Sequence, residues 1–244
     1  MEIVVLGRYG SFPGKDGACS GYFIKTDKSA VLIDCGNGTI GRLQRYCRIE
    51  DLDAIVISHL HDDHMGDLRV LRYAIETKQA FGELDHPIKV FMPKNPTVIA
   101  EGIYHPDLFD TEYIHEDMVI EIKGLLLRFA LMKHSIESYA VSIEEGQKKV
   151  VYSADTVYNE ELITFSKNAN LLINEATFAD ISSLKAPVPH MDALHAGLVA
   201  KRAGVKQLLL THFWYEESVD RCIEAAKQNF DNVLAADEFK NYTI

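Results

Sequence analysis

Three histidines and two aspartates lie within six residues of the chain, from His59 to His64, in the order His-Leu-His-Asp-Asp-His. They directly follow Ala54–Ile57 and Ser58, and this apolar run indicates a buried strand. Imidazoles and carboxylates are costly at the buried end of a strand unless a cation compensates them. Residues two apart in an extended segment point the same way, so His59 and His61 can bind one ion together. The spacing therefore predicts a metal-dependent hydrolase.

Further side chains that can bind a metal follow apolar runs elsewhere in the chain. Such strand ends are where active sites lie in layered sheets. The predicted ligands are His59, His61, Asp63, His64, His134, Asp155 and His212. Seven ligands are too many for one tetrahedral zinc ion, and they suit two ions that share a bridging carboxylate. A mixture of imidazole and carboxylate without thiolate favours Zn²⁺, with Mn²⁺ or Fe²⁺ as alternatives.

The composition argues against several classes of protein. Acidic residues outnumber basic residues by 36 to 25, for a net charge of −11, which argues against broad non-specific binding to nucleic acids. The four cysteines form no Cys-x-x-Cys pair and do not suggest a disulfide framework. No apolar run approaches the ~18 residues of a membrane span, and the start lacks the features of a signal peptide. We expect a cytoplasmic protein with no membrane partner.

Strand and helix patterns occur in a similar order in the two halves of the chain. In the first half they predict strands Ile3–Leu6, Gly21–Thr26, Ala30–Asp34, Ala54–Ile57 and Ile88–Met92, with helices over Thr39–Arg48, from an Asp67 N-cap to Lys78, and from Asn95–Pro96 onward. In the second half they predict an antiparallel meander of Val119–Ile122, Leu125–Leu131, Tyr139–Ile143 and Lys149–Tyr152. After it come helices Asn159–Lys167, Met191–Ala203 and Ser218–Asn229, and strands Leu171–Asn174, Gln207–Leu210 and Val233–Ala235. We therefore predict an α/β protein of one domain, residues 1–244, in which two sheets pack face to face with helices on both outer faces.

Along nearly its whole length the sequence resembles the metallo-β-lactamase superfamily. The resemblance covers Leu32–Gly38, the His-x-His-x-Asp-His run, and the segments around His134, Asp155 and His212. It implies the αββα four-layer sandwich of two mixed sheets. It also implies a first ion on His59, His61 and His134, a second on Asp63, His64 and His212, and Asp155 as the bridge between them. Asp34 is expected to orient a metal-binding histidine.

Within this superfamily the sequence looks most like the ribonuclease Z group and its small phosphodiesterase relatives. Asn174–Phe178 resembles the group's His-Glu-Ala-Thr motif, with Asn174 in place of the histidine, and His190–Gly197 resembles a histidine motif at a helix start. The resemblance implies that Asp63 orients or deprotonates the attacking water. It further implies that His190 stabilises the phosphate or protonates the leaving oxygen, and that Glu175 orients His190.

One departure concerns the basic tRNA-binding arm that ribonuclease Z carries between its third and fourth metal motifs. Here only 20 residues separate His134 from Asp155, and they include Glu144 and Glu145. We therefore predict a phosphodiesterase acting on a small or flexible phosphodiester, such as a cyclic nucleotide, a nucleotide derivative or an RNA end, by attack of a metal-bridging hydroxide. A ribonuclease Z-type tRNA 3′ endonuclease, an acyl hydrolase (lactonase or thioesterase) and a non-catalytic metal-binding protein are the alternatives. The sequence leaves a homodimer open.

Overall fold

The computed structural model describes residues 1–182 and 184–244, and in these residues it contains two mixed sheets of seven strands each. The first sheet has the order β14-β1-β2-β3-β4-β5-β6 and the second β13-β12-β11-β10-β9-β8-β7. The strands of the first sheet are β1 Glu2–Gly7, β2 Gly21–Lys25, β3 Ala30–Ile33, β4 Ala54–Val56, β5 Ile88–Met92, β6 Phe109–Tyr113 and β14 Asn241–Thr243. Those of the second are β7 Val119–Ile122, β8 Leu125–Met132, β9 Ser138–Glu145, β10 Lys148–Tyr152, β11 Leu171–Glu175, β12 Leu208–Thr211 and β13 Val233–Ala235.

Helices cover the outer face of each sheet. They are α1 Thr39–Leu43, α2 Asp62–Met65, α3 Leu68–Ala80, α4 Thr97–Ile103, α5 Glu160–Phe165, α6 Ala193–Ala203 and α7 Val219–Lys227. One apolar core lies between the sheets, where the rings of Tyr22 and Tyr152 pack 4.9 Å apart between their centroids. A second core joins the first sheet to α1, α3 and α4, and a third joins the second sheet to α5, α6 and α7. The predicted four-layer αββα fold is confirmed.

Two predictions about the first half were wrong. The helix predicted over Thr39–Arg48 ends at Leu43, because the chain then turns and directs the Tyr46 hydroxyl to the Phe239 carbonyl, 3.1 Å away. Asp67 precedes α3 but does not cap it. Its Oδ2 accepts hydrogen bonds from the amides of Gly38 and Ile40, both at 3.0 Å. The N-cap residue of α1 is a glycine, so Asp67 supplies the side-chain oxygen that this helix start lacks.

The predicted antiparallel meander is present as β7 to β10. Strands β9 and β10 form the hairpin that fills the interval between His134 and Asp155, and Glu145 pairs with Lys148 at its tip. The interval contains no other strand among the described residues. None of the helices in residues 1–182 and 184–244 has the length and apolar character of a membrane span.

The strands that precede most of the predicted site residues run toward the same edge of the sandwich. In the first sheet β3 and β4 are parallel. In the second, β10, β11 and β12 are parallel, and β8 has the same direction because β9 is antiparallel to both β8 and β10. The carboxyl ends of parallel strands meet at one edge, so residues far apart in sequence gather there.

Candidate metal centre

The first group of metal-competent side chains at this edge contains His59, His61, His134 and Asp155. One ligand atom from each lies within 4.8 Å of all the others. His61 Nδ1 is 3.1 Å from His59 Nε2 and 3.2 Å from His134 Nε2. His59 is fully buried, and Asp155 Oδ2 lies 3.6 Å from its Nε2. The group matches the ligand set expected for the first ion.

The second group contains Asp63, His64, Asp155 and His212, again with ligand atoms within 4.8 Å of one another. All four residues are buried. His212 Nε2 lies 3.2 Å from Asp155 Oδ2 and 3.3 Å from Asp63 Oδ2. Asp155 belongs to both groups, which is the position that a bridging carboxylate requires. The structure thus brings together all seven residues predicted as ligands.

Two features indicate that these residues fit divalent cations. His64 Nε2 and Asp155 Oδ1 are buried and have no hydrogen-bond partner among the described residues, and such atoms are costly unless something binds them. Burial would lower the pKa of His64, but the carboxylates of Asp155, Asp63 and Asp34 raise it well above its usual value. Three buried carboxylates around one imidazole therefore demand positive charge. The pKa of His59 moves the other way, well below its usual value, because of burial and the neighbouring His64. A neutral imidazole is the form that binds a metal.

Asp34 holds one of these histidines in place, as expected. Its Oδ2 accepts hydrogen bonds from His64 Nδ1 at 2.7 Å, the Tyr152 hydroxyl at 2.8 Å and the Ser58 hydroxyl at 2.9 Å. Its Oδ1 accepts one from the Ser58 amide at 2.7 Å. Asp34 has a φ of 57°, a left-handed backbone that is uncommon for a residue other than glycine. With Nδ1 occupied by Asp34, the His64 ring presents Nε2 to the site.

Glu175 lies at the end of β11, fully buried, and contacts the predicted general acid. Its Oε2 is 3.2 Å from His190 Nδ1 and 2.9 Å from the Thr177 hydroxyl. The same hydroxyl lies 3.0 Å from Nδ1 of His212. Thr177 therefore joins Glu175 to a predicted metal ligand. Thr177 was not predicted as a site residue, although it is the last residue of the Glu-Ala-Thr motif.

The surroundings of Glu175 and His190 favour a proton between the two side chains. Burial raises the pKa of the Glu175 carboxyl. Burial would lower the pKa of His190, but the charge and the hydrogen bond of Glu175 raise it to about 9. His190 Nδ1 also lies 3.7 Å from Asp155 Oδ2. A protonated imidazole is therefore held beside the two metal groups.

A cavity of about 330 Å³ opens over this cluster. Its lining residues are Ser11, His61, Asp62, Asp63, His134, Ser135, Asp155, Pro189 and His190. Ser11 was not predicted, because it lies far from the metal motifs in sequence. A larger cavity of about 560 Å³ lies at the opposite end of the strands, beside Met1, Lys25 and Glu145. Neither of the two metal groups, nor the third metal-competent group of Glu175, His190 and His212, lies there among the described residues.

The backbone at Gly10 packs directly against the His212 ring. A Cβ atom at this position would lie 2.0 Å from both Cε1 and Nε2 of the His212 ring, so only glycine fits. The amide of Gly10 donates a hydrogen bond of 3.2 Å to the carbonyl of Phe213. The contact of Gly10 with His212 arises from the fold, because the two residues are far apart in the sequence.

Comparison with known proteins now defines the family. The Metallo-beta-lactamase superfamily matches residues 14–212, which is most of the chain. The chain belongs to this superfamily. Probable metallo-hydrolase YhfI of Bacillus subtilis is 33% identical over 232 residues, covering 95% of this chain and 94% of that protein. Its crystal structure has a TM-score of 0.93 at 31% identity and covers 99% of this chain and 98% of that chain. The family member described here is a metal-dependent hydrolase, as the metal motifs predicted.

Two other relatives are more distant. Ribonuclease Z of Methanosarcina acetivorans is 26% identical over 303 aligned positions, covering 100% of this chain and 98% of that protein. The aligned length exceeds the 244 residues here, so ribonuclease Z carries segments that this chain lacks. A diphosphatase from the PhnP family has a TM-score of 0.78 at 16% identity, covering 100% of this chain and 97% of that chain. At that identity the likeness is one of fold.

Proposed function

We propose that this protein is a phosphodiesterase that hydrolyses a small or flexible phosphodiester, such as a cyclic nucleotide, a nucleotide derivative or an RNA end. The observation that carries the proposal is the buried Glu175 beside His190, with His190 lining the cavity that opens over the metal groups. An alkoxide leaving from phosphorus needs a proton, and a protonated imidazole can donate it. Hydrolysis at an acyl carbon does not obviously need the Glu175–His190 pair.

Each residue has a stated part in this proposal. His59, His61 and His134 would hold one divalent ion, and Asp63, His64 and His212 a second, with Asp155 shared. Zinc is the metal that the donor set favours. When bound, two such ions lower the pKa of a water and offset charge on the phosphoryl oxygens. Asp63 orients or deprotonates the attacking water, His190 gives its proton to the leaving oxygen, and Glu175 holds His190.

The size of the cavity and the net charge of the protein favour a small substrate over a folded RNA. The cavity of about 330 Å³ is at the low end for small-molecule sites. The net charge of −11 offers little to a polyanion, and the hairpin of β9 and β10 stands where ribonuclease Z has its arm. A small diester needs no such surface, because the two bound ions would supply the positive charge at the reacting phosphorus.

The decisive experiment combines metal content with a substrate panel. Elemental analysis of metal-replete protein should give two ions per chain, and a reproducible value near one would refute the dinuclear assignment. Hydrolysis of methyl p-nitrophenyl phosphate should exceed that of p-nitrophenyl acetate and of a lactone panel. Hydrolysis confined to the acyl esters would replace the phosphodiesterase with an acyl hydrolase.

A further inference from the structure

An exposed group of aromatic rings lies beside the metal cavity. We call Phe12, Trp214 and Tyr215 the aromatic platform. The Phe12 ring centroid is 5.2 Å from that of Trp214 and 5.1 Å from that of Tyr215, and Trp214 lies 5.4 Å from Tyr215. Phe12 is 44% exposed and Tyr215 42% exposed. Aromatic rings left in water as a group, rather than singly, mark a binding surface.

One hydrogen bond and the loop that carries Phe12 connect the platform to the reaction centre. Trp214 follows His212 by two residues, and its amide donates to the carbonyl of Thr177 at 3.0 Å. The Thr177 hydroxyl is the group that contacts His212. Phe12 follows directly on Ser11, which lines the cavity, and the same loop contacts the His212 ring at Gly10. A ligand whose reacting group occupies the cavity therefore has the platform beside it.

We infer that the aromatic platform is a nucleobase subsite, so that the substrate is a nucleotide phosphodiester whose base stacks on Phe12, Trp214 and Tyr215. This inference rests on the proposed function, because it places the phosphate in the metal cavity. Nucleobases have flat π-faces and are neutral at pH 7, so the carboxylate of Glu216, in contact with the Tyr215 hydroxyl, does not repel them. Stacking on aromatic rings is tolerant of base identity. Purine and pyrimidine nucleotides should therefore both bind.

A direct binding assay is available because Trp214 is the only tryptophan of the chain. Metal-loaded protein is titrated with AMP, with CMP, and with ribose 5-phosphate, which carries the phosphate and sugar but no base. Both nucleotides should quench the tryptophan emission to saturation, and ribose 5-phosphate should bind more weakly without that quenching. Equal affinity for AMP and ribose 5-phosphate would overturn the subsite. Free N-acetyltryptophanamide corrects for light absorbed by the nucleotides.

A second binding experiment removes one ring of the platform. Phe12→Ala should raise the Kd of AMP about 5- to 150-fold, the range that corresponds to loss of one stacking ring. Phe81→Ala is the matched control, because Phe81 is 77% exposed and lies on the first-sheet side at the end of α3. It should leave the Kd unchanged. If Phe12→Ala alters only the oligomeric state, the platform is an interface between copies of this chain and the inference is wrong.

Catalysis separates this inference from the proposed function. Thymidine 5′-(p-nitrophenyl phosphate) and methyl p-nitrophenyl phosphate share a leaving group, and only the thymidine ester carries a sugar and a base. Phe12→Ala should lower kcat/KM for the thymidine ester at least fivefold more than for the methyl ester, and an equal loss on both refutes the subsite. If the protein cleaves neither ester but binds AMP through Phe12, the phosphodiesterase proposal fails and the nucleotide site stands. If it cleaves both without preference and Phe12→Ala changes nothing, the subsite fails and the phosphodiesterase stands.

Discussion

Adding one methyl group to Gly10 should disable the second metal group. The new Cβ would lie 2.0 Å from two atoms of the His212 ring and 2.4 Å from its Nδ1. Ordinary contact begins at 3.4 Å, so the loop and the ring must separate by about 1.4 Å. His212 is held by the Thr177 hydroxyl, and the loop is held by the hydrogen bond from Gly10 to Phe213. One of these two hydrogen bonds must break.

The size of the effect follows from that displacement. A misplacement of about 1 Å in a catalytic group can cost ~10²-fold in rate. Disturbing the groups that orient a ligand costs ~10–100-fold in metal affinity. We therefore expect Gly10→Ala to lower turnover of methyl p-nitrophenyl phosphate by about 10²-fold or more. It should also lower the affinity for one of the two metal ions. Overpacking should also lower the free energy of unfolding by ~1–3 kcal/mol.

The assay compares this variant with one that adds the same methyl group harmlessly. Gly41→Ala is that control, because a Cβ at Gly41 in α1 meets nothing within 4 Å. Metal content after dialysis, kcat and thermal unfolding are measured for both variants and for the unmodified protein. Wild-type metal affinity and kcat in Gly10→Ala would refute the close approach of Gly10 to His212.

Four further predictions test the rest of the site. Asp34→Asn places an N–H against a hydrogen-bond donor whichever way the amide turns. It should therefore lower the free energy of unfolding by ~1–3 kcal/mol, measured by denaturant titration, and lower the affinity for one metal ion ~10–100-fold, measured by metal titration. Thr177→Val removes the hydroxyl between Glu175 and His212 and should weaken metal binding ~10–100-fold, with Thr177→Ser restoring it; no change in either variant would mean that the hydroxyl does not orient the ligand. His190→Ala should lower turnover by ~10²–10⁴ without changing metal content, and by less for a p-nitrophenolate leaving group than for an alkoxide; equal losses would indicate a structural role. Precursor tRNA should bind weakly with a steep salt dependence in filter binding, whereas efficient 3′ processing at physiological salt would restore the ribonuclease Z assignment.

Much of the fold follows from local patterns in the sequence. Alternating and continuous apolar runs predicted most of the strands, and Asn159, Asp192 and Ser218 each cap a helix near its predicted start through hydrogen bonds within the same turn. The edge strands Phe109–Tyr113 and Asn241–Thr243 escaped prediction. Both are short, and their exposed positions weaken the apolar signal.

The sequence by itself determined which residue types could bind a metal, because imidazoles and carboxylates clustered within six residues have few uses other than binding a cation. It also placed each ligand at a strand end, and parallel strands then bring those ends to one edge. Tertiary structure alone decided which backbone and side-chain groups surround the ligands. The contacts of Gly10 with His212 and of Asp67 with α1 join segments separated by 202 and by about 28 residues, and neither leaves a periodic signal. The aromatic platform has the same origin, since Phe12 meets Trp214 only after both sheets have packed.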